Sequence, residues 1–156
     1  MKEILKIIFL DVDGVLNSQR KLIEVYEQTH KPHSGYAYPF DEKCLDNLKE
    51  LVETTNSKIV ISSTWRKDEE GRTILLSKLK EYGLDDKVIG YIPILGCKRG
   101  EEIEAFINSL NREINFIILD DDNDMGKYEE YLIKTNNRFG LTKDDMNKAV
   151  KKLIKK

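Results

Sequence analysis

The chain has 156 residues, 40% hydrophobic and 35% charged, with a formal net charge of -2 at pH 7. That length predicts one domain spanning residues 1–156 with a single sizeable core, and the near balance of charge excludes a polycationic, nonspecific nucleic-acid binder. Cys44 and Cys97 are too few and too far apart for a disulfide framework or a thiolate zinc cage, and the sequence shows neither a membrane-length apolar run nor a signal-peptide pattern; the expectation is a cytoplasmic protein with both cysteines buried or half-buried.

Ile7-Ile8-Phe9-Leu10, preceded by Ile4 and Leu5, is the first predicted strand, apolar throughout as a strand covered on both faces should be. It stops at Asp11-Val12-Asp13-Gly14, where the two-residue spacing aims both carboxylates the same way and Gly14 permits a sharp turn or a close backbone approach to a ligand. Residues 18–40 are polar and irregular and are expected to fold as a small flap. Within it Tyr36, Tyr38 and Phe40 alternate as in a hairpin, covering the core or stacking on a nucleobase, while His30 and His33 read as solvated loop residues.

Asp41 is the predicted N-cap of a helix whose stripe is Cys44, Leu45, Leu48, Leu51 and Val52. Lys58-Ile59-Val60-Ile61 is the second strand, ending in Ser62-Ser63-Thr64-Trp65-Arg66, with Trp65 as a packing residue and Arg66 as its exposed or salt-bridged neighbour or, alternatively, a planar donor for phosphate. A helix over residues 68–82 stops at Gly83, a short third strand covers residues 88–92, and a helix starts at Arg99-Gly100-Glu101-Glu102. Phe116-Ile117-Ile118-Leu119 is the fourth strand, ending in Asp120-Asp121-Asp122-Asn123-Asp124. Residues 131–134 form a fifth, and Thr142 caps a last helix with Met146, Ala149, Val150, Leu153 and Ile154 inward and the basic ending, through Lys155-Lys156, solvated.

This alternation predicts an α/β fold: a parallel five-stranded sheet with helices on both faces and ligands outside the carboxyl ends of the strands. If the first and fourth strands are neighbours, Asp11, Asp13, Asp120 and Asp121 converge. Crowded carboxylates either take up protons or recruit a cation, and an all-oxygen set favours a hard ion, Mg2+ together with a substrate phosphate. The chemistry such a pair offers is attack of one carboxylate on phosphorus while its neighbour serves as acid and base.

Asp11-x-Asp13-Gly14-Val15, Ser62 at the second strand end, Lys98 or Arg99 before a helix and Asp120-Asp121 resemble the four ordered motifs of the haloacid dehalogenase-like (HAD) phosphatase superfamily. More narrowly, Ser62-Ser63-Thr64-Trp65-Arg66, Arg99-Gly100-Glu101-Glu102-Ile103, Leu119-Asp120-Asp121 and Gly140-Leu141-Thr142 are similar to the HAD domains of Swiss Army Knife RNA repair proteins. The resemblance implies a three-layer Rossmann-like HAD fold with a minimal flap and no large cap domain. It further implies Asp11 as nucleophile and Mg2+ ligand, and Asp13 as general acid and base whose backbone carbonyl also faces the metal. Ser62 would donate to the phosphoryl group, Arg99, or Lys98 beside it, would neutralise its charge, and Asp121 with Asp120 would complete the metal site; Gly14, Ser63 and Arg66 complete the substrate side. The expected substrate is a phosphate on a nucleotide or RNA end, with no membrane partner and the oligomeric state left open. Two other readings stand beside it: a noncatalytic Mg2+ or nucleotide-binding relative, and a receiver-type phospho-accepting domain, which would carry its acceptor Asp after the third strand.

Overall fold

The computed structural model describes residues 4–155; Lys156 of the basic ending lies outside them. In chain order the elements are β1 (Leu5–Leu10), α1 (Gln19–Thr29), α2 (Glu42–Thr55), β2 (Lys58–Ile61), α3 (Glu69–Glu81), β3 (Val88–Tyr91), α4 (Arg99–Leu110), β4 (Ile114–Asp120), β5 (Leu132–Lys134) and α5 (Lys143–Ile154), joined by loops and short 3-10 turns. The strands form one parallel sheet in the order β3-β2-β1-β4-β5. β1 is therefore central, and its last residue, Leu10, lies opposite both Ile61 of β2 and Leu119 of β4. That register brings three strand tips level with one another.

The unbroken apolar run of β1 is explained by cover on both sides. Ile8 and Leu10, with Ile59, Ile61, Ile117 and Leu119, belong to a core built against Leu45 and Leu48 of α2, Leu75 and Leu79 of α3, and Met146, Ala149 and Leu153 of α5. Ile7, Phe9, Val60 and Ile118 pack on the other side with Ile103 and Phe106 of α4. Phe9 sits there edge-on to Phe106 and Phe116, with ring centroids 5.9 and 5.6 Å away. Full burial of a side chain of this kind contributes about 2–3 kcal/mol. The three-layer α/β arrangement expected from the strand-helix alternation is the one observed.

The flap differs. Residues 18–40 contain the eleven-residue helix α1, capped by Ser18, whose Oγ accepts from Lys21 N at 3.1 Å. No residue of α1 is buried: its sequence carries an apolar stripe, but Leu22 and Val25 are only half-buried and Ile23 and Tyr26 are exposed. Tyr36, Tyr38 and Phe40 do not form a hairpin: Gly35–Ala37 is a 3-10 turn, and the segment closes through one antiparallel bridge between Asn17 and Phe40. Tyr36 and Phe40 instead stand edge-on to Trp65, at 4.9 and 5.6 Å between centroids. Cys97 is exposed rather than half-buried, and Ile154 faces outward at the end of α5. Among the described residues no helix is long and apolar enough to cross a membrane.

Candidate active site

Side chains alternate along a strand, so Asp11, Asp120 and Ser62 continue the face of Phe9, Ile118 and Val60, the face that α4 covers. Backbone hydrogen bonds extend the ladder one residue beyond the strands: Asp11 N donates to Leu119 O at 3.1 Å and Ser62 N to Leu10 O at 2.9 Å. Three charged or polar groups therefore stand on a rigid edge. Asp121, one residue past β4, turns inward over Gly14.

Oxygen atoms of Asp11, Asp120 and Asp121 all lie within 4.8 Å of one another. Burial raises the proton affinity of Asp11, to about 6, against the pull of Arg99; neighbouring Asp121 and Asp13 raise it further. Burial and the charge of Asp11 lift Asp120 to about 8, and burial also raises Asp121. The two inner carboxylates thus share their titration. Deep, all-oxygen and short of positive charge, this set suits a hard divalent cation. Asp11, Asp120 and Asp121 would hold it.

Arg99, the first residue of α4, supplies the nearest cation. Its Nη1 lies 3.3 Å from Asp120 Oδ2 and 4.0 Å from Asp11 Oδ1. The entry of α4 is pinned by the acidic loop, because Asp124 accepts from Arg99 N at 3.4 Å through Oδ2 and from Gly100 N at 3.1 Å through its carbonyl. A side chain on Gly100 would collide with the carbonyl of Met125, so glycine here sets how closely α4 approaches the loop that follows β4. Asp124 is therefore a helix-entry partner, and Asp122 N bonds Asp120 Oδ1 at 3.0 Å. Lys98, the rival basic residue, is the exposed N-cap, and its ammonium makes no ion pair among the described residues.

Asp13 lies in the turn after β1, outside the group of three acids but close enough for its charge to act on Asp11 and Asp121. Its exposed carboxylate accepts from Asn17 Nδ2 at 2.9 Å and from Trp65 Nε1 at 3.2 Å. It faces a crevice of about 550 Å³ bordered by Tyr36, Tyr38, Trp65, Asn137 and Asp121. Trp65 is a packing residue with a second task, which its spacing did not disclose.

Three expected substrate contacts come out differently. Gly14 lines the crevice, but its N–H donates to Asn17 Oδ1 at 2.9 Å; its positive φ of 78° and lack of a side chain serve the turn and make room for the Asp121 carboxylate. Ser63 Oγ accepts from Trp65 N at 3.1 Å and caps the following 3-10 turn. Arg66 is buried with all five N–H donors committed: to the carbonyls of Ile92, Ser62, Ser63 and Pro93 and to Glu102 Oε1, at 3.0–3.2 Å. None is left for a phosphate. Ser62 is the opposite case, a hydroxyl of 0% exposure whose Oγ has no hydrogen-bond partner among the described residues. A buried unsatisfied hydroxyl is costly, and a phosphoryl oxygen is the kind of acceptor that would satisfy it.

Compared with known families, residues 7–146 match the one described as the HAD domain in Swiss Army Knife RNA repair proteins. A search of curated proteins found no match.

Proposed function

Because the chain belongs to the family of HAD domains found in Swiss Army Knife RNA repair proteins, we propose that it is a Mg2+-dependent phosphomonoesterase acting through an aspartyl-phosphate on Asp11. The observation that carries this reading is the convergence of Asp11, Asp120 and Asp121 within 4.8 Å of one another beneath the Arg99 guanidinium. The bound cation would supply charge compensation for the carboxylates and the phosphoryl oxygens.

Asp11, as carboxylate, attacks phosphorus; the P–O bond to the leaving alcohol breaks as the acyl-phosphate forms. Asp13, held by Trp65 and Asn17, gives the leaving oxygen its proton. In the second half, Asp13 takes a proton from the water that attacks the acyl-phosphate, and Asp11 and inorganic phosphate are released. Arg99 offsets the charge on the transferred group, and Ser62 Oγ–H donates to one of its oxygens. The reading covers residues 1–156 as one catalytic domain in the cytoplasm.

The crevice beside Asp13 is open and bordered by aromatic rings, which supports a phosphate carried on a nucleotide or on an RNA end. The receiver-type alternative loses its acceptor, since β3 runs out into Ile92-Pro93-Ile94-Leu95 with no carboxylate. A panel of aryl phosphate, nucleoside monophosphates, sugar phosphates and RNA oligonucleotides phosphorylated at either end tests the proposal. Expected is Mg2+-dependent release of phosphate, greatest on the nucleotide or RNA substrates, lost in EDTA and in Asp11→Asn. Binding of Mg2+ or nucleotide with no turnover of any ester would leave the noncatalytic reading in its place.

A further inference from the structure

Glu102, in the first turn of α4, is 5% exposed and has both carboxylate oxygens engaged. Oε1 lies 3.0 Å from Arg66 Nη2 and 3.9 Å from Arg99 Nε, and Oε2 accepts from Leu95 N at 2.9 Å. Arg66 in turn holds the carbonyls of Ser62 and Ser63 at the tip of β2 and of Ile92 and Pro93 beyond β3. Arg99 is thereby flanked by Glu102 on its Nε side and by Asp120 and Asp11 on its Nη1 side. Its Nη2 has no hydrogen-bond partner among the described residues. Charges alternate along the whole chain of contacts: Arg66, Glu102, Arg99, then Asp120 and Asp11.

A buried ion pair brings little net stability, because desolvating both charges offsets their attraction. What this one does is geometric. We infer that the Arg66–Glu102 pair is a positioning device for the phosphoryl site: Glu102 sets the guanidinium of Arg99, and Arg66 fixes the β2 tip that carries Ser62. The inference rests on the phosphohydrolase reading above. Without the Glu102 charge, Arg99 has only Asp120 and Asp11 to follow and swings toward them, withdrawing its free Nη2 from the transferred group.

The test is a double-mutant cycle in the full chain on Glu102→Gln and Arg99→Ala, read by kcat and KM on an aryl phosphate and by orthovanadate affinity, both with Mg2+. Glu102→Gln alone should lose about tenfold or more in kcat and in vanadate affinity, with KM changing little. In the Arg99→Ala background it should add less than about twofold, since the guanidinium that Glu102 sets is already gone while Arg66 still holds the β2 tip through the carbonyls of Ser62 and Ser63. Equal losses in both backgrounds mean that Glu102 serves the fold alone, and the inference is overturned. If Glu102→Gln does not fold, the same cycle is run with Glu102→Asp, which keeps the negative charge but, one methylene shorter, draws the carboxylate back from both arginines. A wild-type chain that neither turns over nor binds vanadate overturns the phosphohydrolase reading, and this inference with it; a wild-type chain that turns over with additive losses overturns this inference alone.

Discussion

At Gly14 two strand tips meet so closely that a hydrogen atom is the largest side chain that fits. An alanine methyl there would collide with the Asp121 carboxylate, and φ is 78°. Gly14→Ala should cost about 1–3 kcal/mol in denaturant melts and also weaken Mg2+ binding in calorimetry, because the residue displaced is one of the three acids. Asp11→Asn behaves in the opposite sense: turnover disappears while the melting temperature holds or rises, as a buried carboxylate is replaced by a neutral amide. The acids at the strand ends, Ser62 and Arg99 were legible in the sequence, because each directly ends an apolar run or opens a helix and the topology carries such positions to one edge. For Arg66 a salt bridge was legible, and it forms with Glu102; the backbone acceptors were not. Its acceptors at Ile92 and Pro93 lie 26 and 27 residues along the chain, and no local pattern announces them. Gly14 is intermediate, since the Asn17 that takes its N–H is only three residues away.

Helices α2, α3, α4 and α5 could be read from apolar stripes that the structure buries wholly or in part, and the strands from runs that stop at polar clusters. α1 carries a comparable stripe in Leu22, Val25 and Tyr26, but it lies in a polar segment and the structure leaves it half-buried or exposed. What holds α1 to the body is Asp41, 0% exposed, which accepts from Ser18 Oγ at 2.6 Å and Arg20 Nη2 at 2.6 Å while capping α2 through Lys43 N at 3.0 Å. The turn after β5 adds two backbone acceptors, Asn137 O and Arg138 O, for Gln19 N and Arg20 N. Asp41→Ala removes a helix cap and leaves Arg20, itself one-third exposed, without its buried partner. A loss of about 2 kcal/mol is expected, with amide exchange in α1 accelerated well before that in α2. Equal acceleration in both helices would show that the flap and body open as one unit.

For the molecule as a whole, the cost of crowding carboxylates appears in its stability against pH. The ordinary carboxylate value of 3.8 applies to the unfolded chain, whereas folding raises Asp11 to about 6 and Asp120 to about 8. Between about pH 4 and 8 the folded state therefore binds more protons than the unfolded one, and the contribution of this pair to stability falls as pH rises. In EDTA the melting temperature of wild type should decline across that window more steeply than that of Asp120→Asn. Mg2+ should restore it at pH 8 and do little at pH 4, where protons already occupy the site.

Trapping the phosphorylated chain tests the proposed chemistry at its centre. With Mg2+ and a substrate labelled in its phosphate, acid quenching during turnover should leave an acyl-phosphate that maps to Asp11, absent in EDTA and in Asp11→Asn. Phosphate release at full rate with no label on Asp11, or with label that survives Asp11→Asn, would contradict it.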